Sequence, residues 1–207
     1  MVTFDNRGCR SASCEGFDLA DCAADIVELA DSLGHERFAI AGISMGGMIT
    51  QEVLAAAPQR ITAAGLLATH GGGPDVLPPP DMMILMAPTP QELWTRLSGP
   101  GFADAHPDVI EEEAQITLDA ATPAEGIMSQ LQAIFRFNPG LDATLDVPVV
   151  VSHGDHDPLV PYENGVRLAK RLGCELVTFE GAGHGLEFER PTEVAELLAK
   201  HFSAART

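Results

Sequence analysis

Hydrophobic and polar positions follow one another along the chain in two rhythms. Phe38 to Ile43 is an unbroken apolar run of strand length that reads as a buried parallel strand, and Met45 towards Ala57 is a helical run that stops before Pro58. Upstream, Leu19, Cys22, Ile26, Leu29 and Leu33 recur at helical spacing. Asp18 is the predicted cap of that helix, Asp21 favours the same end, and Gly34 closes it. Ile61 to Ala68 predicts another apolar strand. Val2-Thr3-Phe4-Asp5 predicts a first strand turned by Asn6-Arg7-Gly8, and Ser11 to Gly16 reads as a polar loop. Strand, helix, strand, helix, strand predicts an α/β fold: a parallel sheet with helices on both faces.

The rhythm changes at His70-Gly71-Gly72-Gly73-Pro74, and from there to about Gly140 no strand is evident. Pro78-Pro79-Pro80 is a stiff spacer, and Asp81 precedes the apolar segment Met82-Met83-Ile84-Leu85-Met86. Thr89-Pro90-Gln91-Glu92 is a capping box with proline at the first helical position, and Thr122-Pro123-Ala124-Glu125 repeats that grammar. The helix between them, Pro107 to Ala121, carries Glu111-Glu112-Glu113, which reads as a solvated face and not a metal site. The sheet resumes with Val147 to Ser152, followed by the loop His153-Gly154-Asp155-His156-Asp157-Pro158. A helix from Pro161 to Leu172, a last strand from Cys174 to Phe179, the loop Gly181 to Gly185 and a closing helix from Thr192 to Phe202 complete the chain. Segments 1–73 and 141–207 are thus expected to form the two parts of one core sheet, with 74–140 a helical lid over one end.

Bulk properties narrow the function. The 207 residues suffice for one domain with a sizeable core. A net charge of -18 argues against nucleic acid and against anionic membrane surfaces as partners. No apolar run approaches the ~20 residues of a membrane span, and no signal peptide is visible. Cys9, Cys14, Cys22 and Cys174 lack a CxxC pair and a clustered histidine, so neither zinc nor another metal is expected. A Cys9–Cys14 disulfide stays open, against free thiols in a cytoplasmic protein.

The chemistry centres on Gly42-Ile43-Ser44-Met45-Gly46 between strand and helix. A serine on so tight a turn is forced into strained backbone geometry, and the flanking glycines let strand and helix approach without a Cβ clash. The turn lifts the Ser44 hydroxyl out at the end of the sheet, at the positive end of a helix dipole. A serine hydroxyl needs a base, and the base an orienting acid. Loops after parallel strands meet on one edge, which brings together Ser44, the Asp155/Asp157 loop and the His184 loop. Of the 7 histidines, His184 alone is flanked by glycines after the final strand; His70 and His153 end strands and could line the site, but read as structural. Asp157, ahead of Pro158, is favoured as the acid over Asp155.

These segments resemble the α/β-hydrolase superfamily, near its esterase, enol-lactonase and non-haem peroxidase-like members. Asp5-Asn6-Arg7-Gly8, Gly42 to Gly47, His153 to Pro161 and Gly181-Ala182-Gly183-His184 stand where that family's recurring segments stand. The resemblance implies a three-layer fold, Ser44 as nucleophile, Asp157 as acid, His184 as base, Met45 N–H as an oxyanion donor, and no cofactor. The lid's Met83, Met86, Trp94 and Phe135 suggest contact with a small to medium apolar ester or lactone. Homo-oligomerisation stays open.

Two departures from the family pattern stand out. Cys9-Arg10-Ser11 lacks the glycine that usually follows the Asp-x-Arg-Gly turn. About three strands that precede the Val2 segment in the family, and the His-Gly loop that donates a second oxyanion N–H, have no counterpart. Loss of one such donor lowers rate by ~10²–10³. A missing central strand would leave apolar edges unpaired, so an incomplete reading frame is expected, ahead of a sheet completed by a partner or by re-pairing. A serine hydrolase is the leading reading. A catalytically impaired binding protein, and an enol-lactonase or C–C hydrolase, are the alternatives.

Overall fold

The computed structural model describes residues 1–10, 16–120 and 122–205. Cys14, Ser11 to Glu15 of the expected polar loop and Ala121 at the end of its expected helix lie outside the described residues.

Among the described residues four parallel strands form the sheet, in the order β1 (Phe38–Ile43), β2 (Ile61–Leu67), β3 (Val149–Gly154) and β4 (Glu175–Phe179). Register pairs Ile43 with Leu67, Leu67 with Ser152, and Ser152 with Val177, so the carboxyl ends of all four strands lie along one edge. β2 is buried almost throughout because helices cover both its faces. Ala64 belongs to the apolar cluster of α1 (Leu19–Ser32) and α2 (Met45–Ala56), and Leu66 to that of α7 (Tyr162–Leu172). Side chains alternate along a strand, so Gly65 and Leu67 face the other way, onto α9 (Pro191–Ala204). A Cβ on Gly65 would lie 2.6 Å from Leu198, which shows how closely α9 is seated.

Between β2 and β3 the chain runs through a 3-10 turn (Met82–Met86) and four helices: α3 (Pro90–Leu97), α4 (Phe102–Ala105), α5 (Pro107–Ala120) and α6 (Ala124–Arg136). Asp81 caps the turn by accepting from Met83 N–H at 2.8 Å, and Thr89 caps α3 by accepting from Glu92 N–H at 3.2 Å. A short α8 (Leu186–Glu189) precedes α9.

Four expectations are corrected. Val2-Thr3-Phe4-Asp5 is not a strand: Val2 and Phe4 are exposed and residues 1–6 carry no regular structure. Among the described residues their alternation has no neighbouring strand to pair with. The segment is anchored at Arg7 instead, by an Arg7–Asp25 ion pair at 2.6 Å and by the Arg7 carbonyl accepting from Gln130 Nε2 at 2.9 Å. β1, read as buried, is half-buried with Ala41 exposed, since among the described residues it pairs only with β2. β3 begins two residues later than expected, because Pro148 has no N–H for the ladder, and it extends through Gly154, which pairs with Phe179. Pro123 stands at the N-cap of α6 and not inside it, so Thr122 is not its cap.

Candidate active site

Ser44 sits between β1 and α2 with φ 53 and ψ -119, a conformation that non-glycine residues rarely adopt. The surroundings over-determine it. Ser44 N–H donates to Leu67 O at 2.9 Å, continuing the β1–β2 ladder, and the Ser44 carbonyl accepts from Gly47 N–H at 3.0 Å and Thr69 Oγ1 at 2.9 Å. Its hydroxyl makes no capping bond to α2. The two glycines of the motif are not equivalent. A Cβ on Gly42 would collide with the Gly46 carbonyl, whereas a Cβ on Gly46 would meet nothing within 4 Å. Close passage of backbone over Gly42 is what the turn demands. Met45 opens α2, so its N–H has no intrahelical partner.

His184 follows β4, and its N–H donates to Leu97 O at 2.8 Å. The ring Nδ1 is 2.8 Å from Asp157 Oδ2, with His184 6% exposed and Asp157 7%. The loop after β3 holds that carboxylate from behind: Asp157 Oδ1 accepts Leu159 N–H at 2.9 Å and Val160 N–H at 2.8 Å. Burial alone would raise the Asp157 carboxyl; facing His184 and His153 it is instead held at about 2. Burial lowers the His184 imidazole, but the Asp157 charge and hydrogen bond, with Glu187 and Glu189 beyond, carry it above its ordinary value. The pair is therefore set up as carboxylate and basic imidazole.

Asp155 lies apart. Its Oδ1 accepts Gly181 N–H at 2.7 Å and faces His156 Nδ1 at 2.9 Å. Of the two aspartates, the one brought onto His184 is Asp157. His70 is also elsewhere: its ring packs against Phe137 at 5.9 Å, its Nδ1 accepts Gly72 N–H at 3.2 Å, and burial pulls it down to about 4. Trp94 is half-buried, with Nε1 donating to Thr117 Oγ1 at 2.8 Å and its ring edge-on to Phe188 at 5.4 Å. Met83, Met86 and Phe135 are exposed at 61%, 70% and 75%.

Two further polar residues stand at the site: His153, which the sequence allows there but reads as structural, and Glu189, which sequence reasoning did not place there. His153, fully buried, directs Nε2 to both Val160 O at 2.8 Å and Asp157 Oδ2 at 3.2 Å. Its position at the end of β3, on the edge shared with Ser44, was the available signal. Glu189, 5% exposed, accepts Gly183 N–H beside His184. Within Glu187-Phe188-Glu189-Arg190 it looks like a surface charge, and nothing in the local pattern marks it as buried. Among the described residues, no group of three or more His, Cys, Asp or Glu has an arrangement that could hold a metal. No helix among them is long and apolar enough to cross a membrane.

Comparison with known proteins places the chain as a whole. A model of the alpha/beta hydrolase family matches residues 1–197. BpoC of Mycobacterium tuberculosis, which carries a non-heme bromoperoxidase name, is 28% identical over 99% of this chain and 83% of its own length. 3-Oxoadipate enol-lactonase 2 of Acinetobacter baylyi is 24% identical over 98% of this chain and 79% of its own. Among solved structures, a thermophilic esterase from Thermogutta terrifontis superposes with a TM-score of 0.81 at 21% identity, over 98% of this chain and 79% of that one. At that identity the likeness is one of fold.

Proposed function

The chain belongs to the alpha/beta hydrolase family, and from that premise we propose that it is a serine hydrolase of carboxylic esters or lactones. The observation that carries the reading is the buried His184 Nδ1–Asp157 Oδ2 contact of 2.8 Å, on the same sheet edge as a serine held at φ 53.

In this reading Ser44 Oγ attacks the acyl carbonyl while His184 Nε2 takes its proton. The resulting imidazolium is stabilised by Asp157 through Nδ1–H, and the tetrahedral oxyanion is met by Met45 N–H. His184 then returns the proton to the departing alkoxide as the C–O bond breaks. Water, deprotonated by the same imidazole, cleaves the Ser44 ester and releases the acid. No cofactor enters these steps. The helical insertion is proposed as the apolar wall for the substrate, with Met83, Met86, Trp94 and Phe135 as its contacts. The free thiols of Cys9, Cys22 and Cys174 favour a reducing compartment, and the reading places the enzyme in the cytoplasm.

A serine-directed fluorophosphonate should label the folded protein at Ser44 and fail to label S44A. Label that survives S44A overturns the assignment. Esters, lactones and β-diketones assayed side by side then separate ester hydrolysis from lactone opening and C–C cleavage. Ligand binding with no turnover of any of the three identifies a non-catalytic binding protein instead.

A further inference from the structure

The loop that carries His184 is fastened to the helical insertion through a seam of bare backbone. Besides the His184 N–H to Leu97 O bond, a Cβ on Gly183 would fall 2.6 Å from the Gly99 nitrogen, so nothing larger than glycine fits there. Glu189 spans the seam. Its carboxylate accepts Gly183 N–H at 3.0 Å on Oε1 and 3.1 Å on Oε2, and Gly99 N–H at 3.0 Å on Oε2. One of those amides adjoins His184, and the other lies two residues beyond the end of α3. The neighbouring Arg190 does not neutralise the carboxylate by contact: its guanidinium donates to the Glu189 and Glu180 carbonyls at 3.0 and 3.2 Å.

A buried carboxylate satisfied by two peptide amides is a fixed point. The loop around it is Gly181-Ala182-Gly183-His184-Gly185, whose glycines supply little conformational preference of their own. The orientation of the His184 ring therefore depends on where the seam anchors its backbone.

We propose that Glu189 is a positioning residue for His184, coupling the aim of the imidazole to the seating of α3 and the insertion attached to it. The inference rests on the reading of His184 as the base. Misplacement of a reacting group by about 1 Å costs on the order of 10² in rate, and that sets the scale for losing the anchor.

E189Q puts an amide donor against an amide donor on one side of the seam. E189D keeps the charge and both oxygens but withdraws them by one methylene. With p-nitrophenyl acetate as substrate, kcat per folded E189Q should fall about 10- to 100-fold with KM little changed, and E189D should fall between E189Q and wild type. The acid limb of kcat/KM should also move to lower pH in E189Q. The charged groups facing His184 are Asp157, Glu187 and Glu189, with Glu113 of α5 acting on Glu187, and only Glu189 is neutralised. If Glu189 merely stabilised the fold, the yield or unfolding midpoint would drop while kcat per folded protein and the pH profile stayed as in wild type. That outcome overturns the proposal. Should E189Q not fold, E189D is read by kcat and KM alone, and wild-type values there overturn the proposal equally. S44A runs alongside. Hydrolysis by S44A overturns the reading of the site itself, whereas a dead S44A with an unaffected E189Q overturns only the coupling.

Discussion

Each oxygen of Asp157 has a different task. Oδ1 is tied to the Leu159 and Val160 amides of its own turn, and Oδ2 faces the two imidazoles of His184 and His153. One oxygen fixes the carboxylate in space and the other acts on the rings. The folded carboxyl titrates at about 2 against an ordinary 3.8. In that interval the unfolded chain binds more protons than the folded one, so stability falls as pH drops through it. About 2 kcal/mol is thus present above pH ~4 and lost by pH ~2. Urea unfolding across that range should show the slope in wild type and a flatter one in D157N. Activity also falls as pH drops, through a different group. As the proposed base, His184 must be neutral, and its pKa is raised, so kcat/KM should fall with an acid limb above the ordinary imidazole value. D157N should move that limb down and lower kcat by roughly 10⁴, as the equivalent change does in a serine protease.

The elements were legible where a local pattern suffices. The apolar run and helical spacing on either side of Ser44, and the proline-started cap of α3 at Thr89, are short-range features and appear as read. The Val2–Asp5 strand was misread because strand character is conferred by a partner, which alternation cannot reveal. Glu189 was missed for a related reason: burial of a charge is decided by backbone amides from Gly99, 90 residues away. The Gly-x-Ser-x-Gly motif was legible as a motif but not in its internal asymmetry. G42A should disrupt the turn, since its new Cβ overlaps the Gly46 carbonyl, and should lower both stability and activity. G46A sits in open space near the start of a helix, where replacing glycine should stabilise by about 0.4–1 kcal/mol. Thermal unfolding of the two variants side by side checks the contrast.

At the scale of the molecule, the sheet order and the chain order of Ser44, Asp157 and His184 belong together: the carboxyl ends of β1, β3 and β4 share an edge. That much came from the alternation of strands and helices. The helical insertion was legible as well, as a long absence of strand patterning between β2 and β3. Which helix touches which loop was not, because such contacts are made by bare glycine backbone. The net charge of -18 exerts self-repulsion on the compact state. Raising monovalent salt from about 10 mM to about 150 mM, where the Debye length falls to about 8 Å, should therefore raise the unfolding temperature at neutral pH; an unchanged or lower midpoint would show that other charge pairs dominate.

The seam between Leu97–Gly99 and Gly183–His184 has a practical bearing on anyone recombining this enzyme with its relatives. A chimera that exchanges the whole stretch between β2 and β3 replaces half of the docking joint under the imidazole. Crossovers placed after Gly99 would leave that joint native while still exchanging α4, α5 and α6.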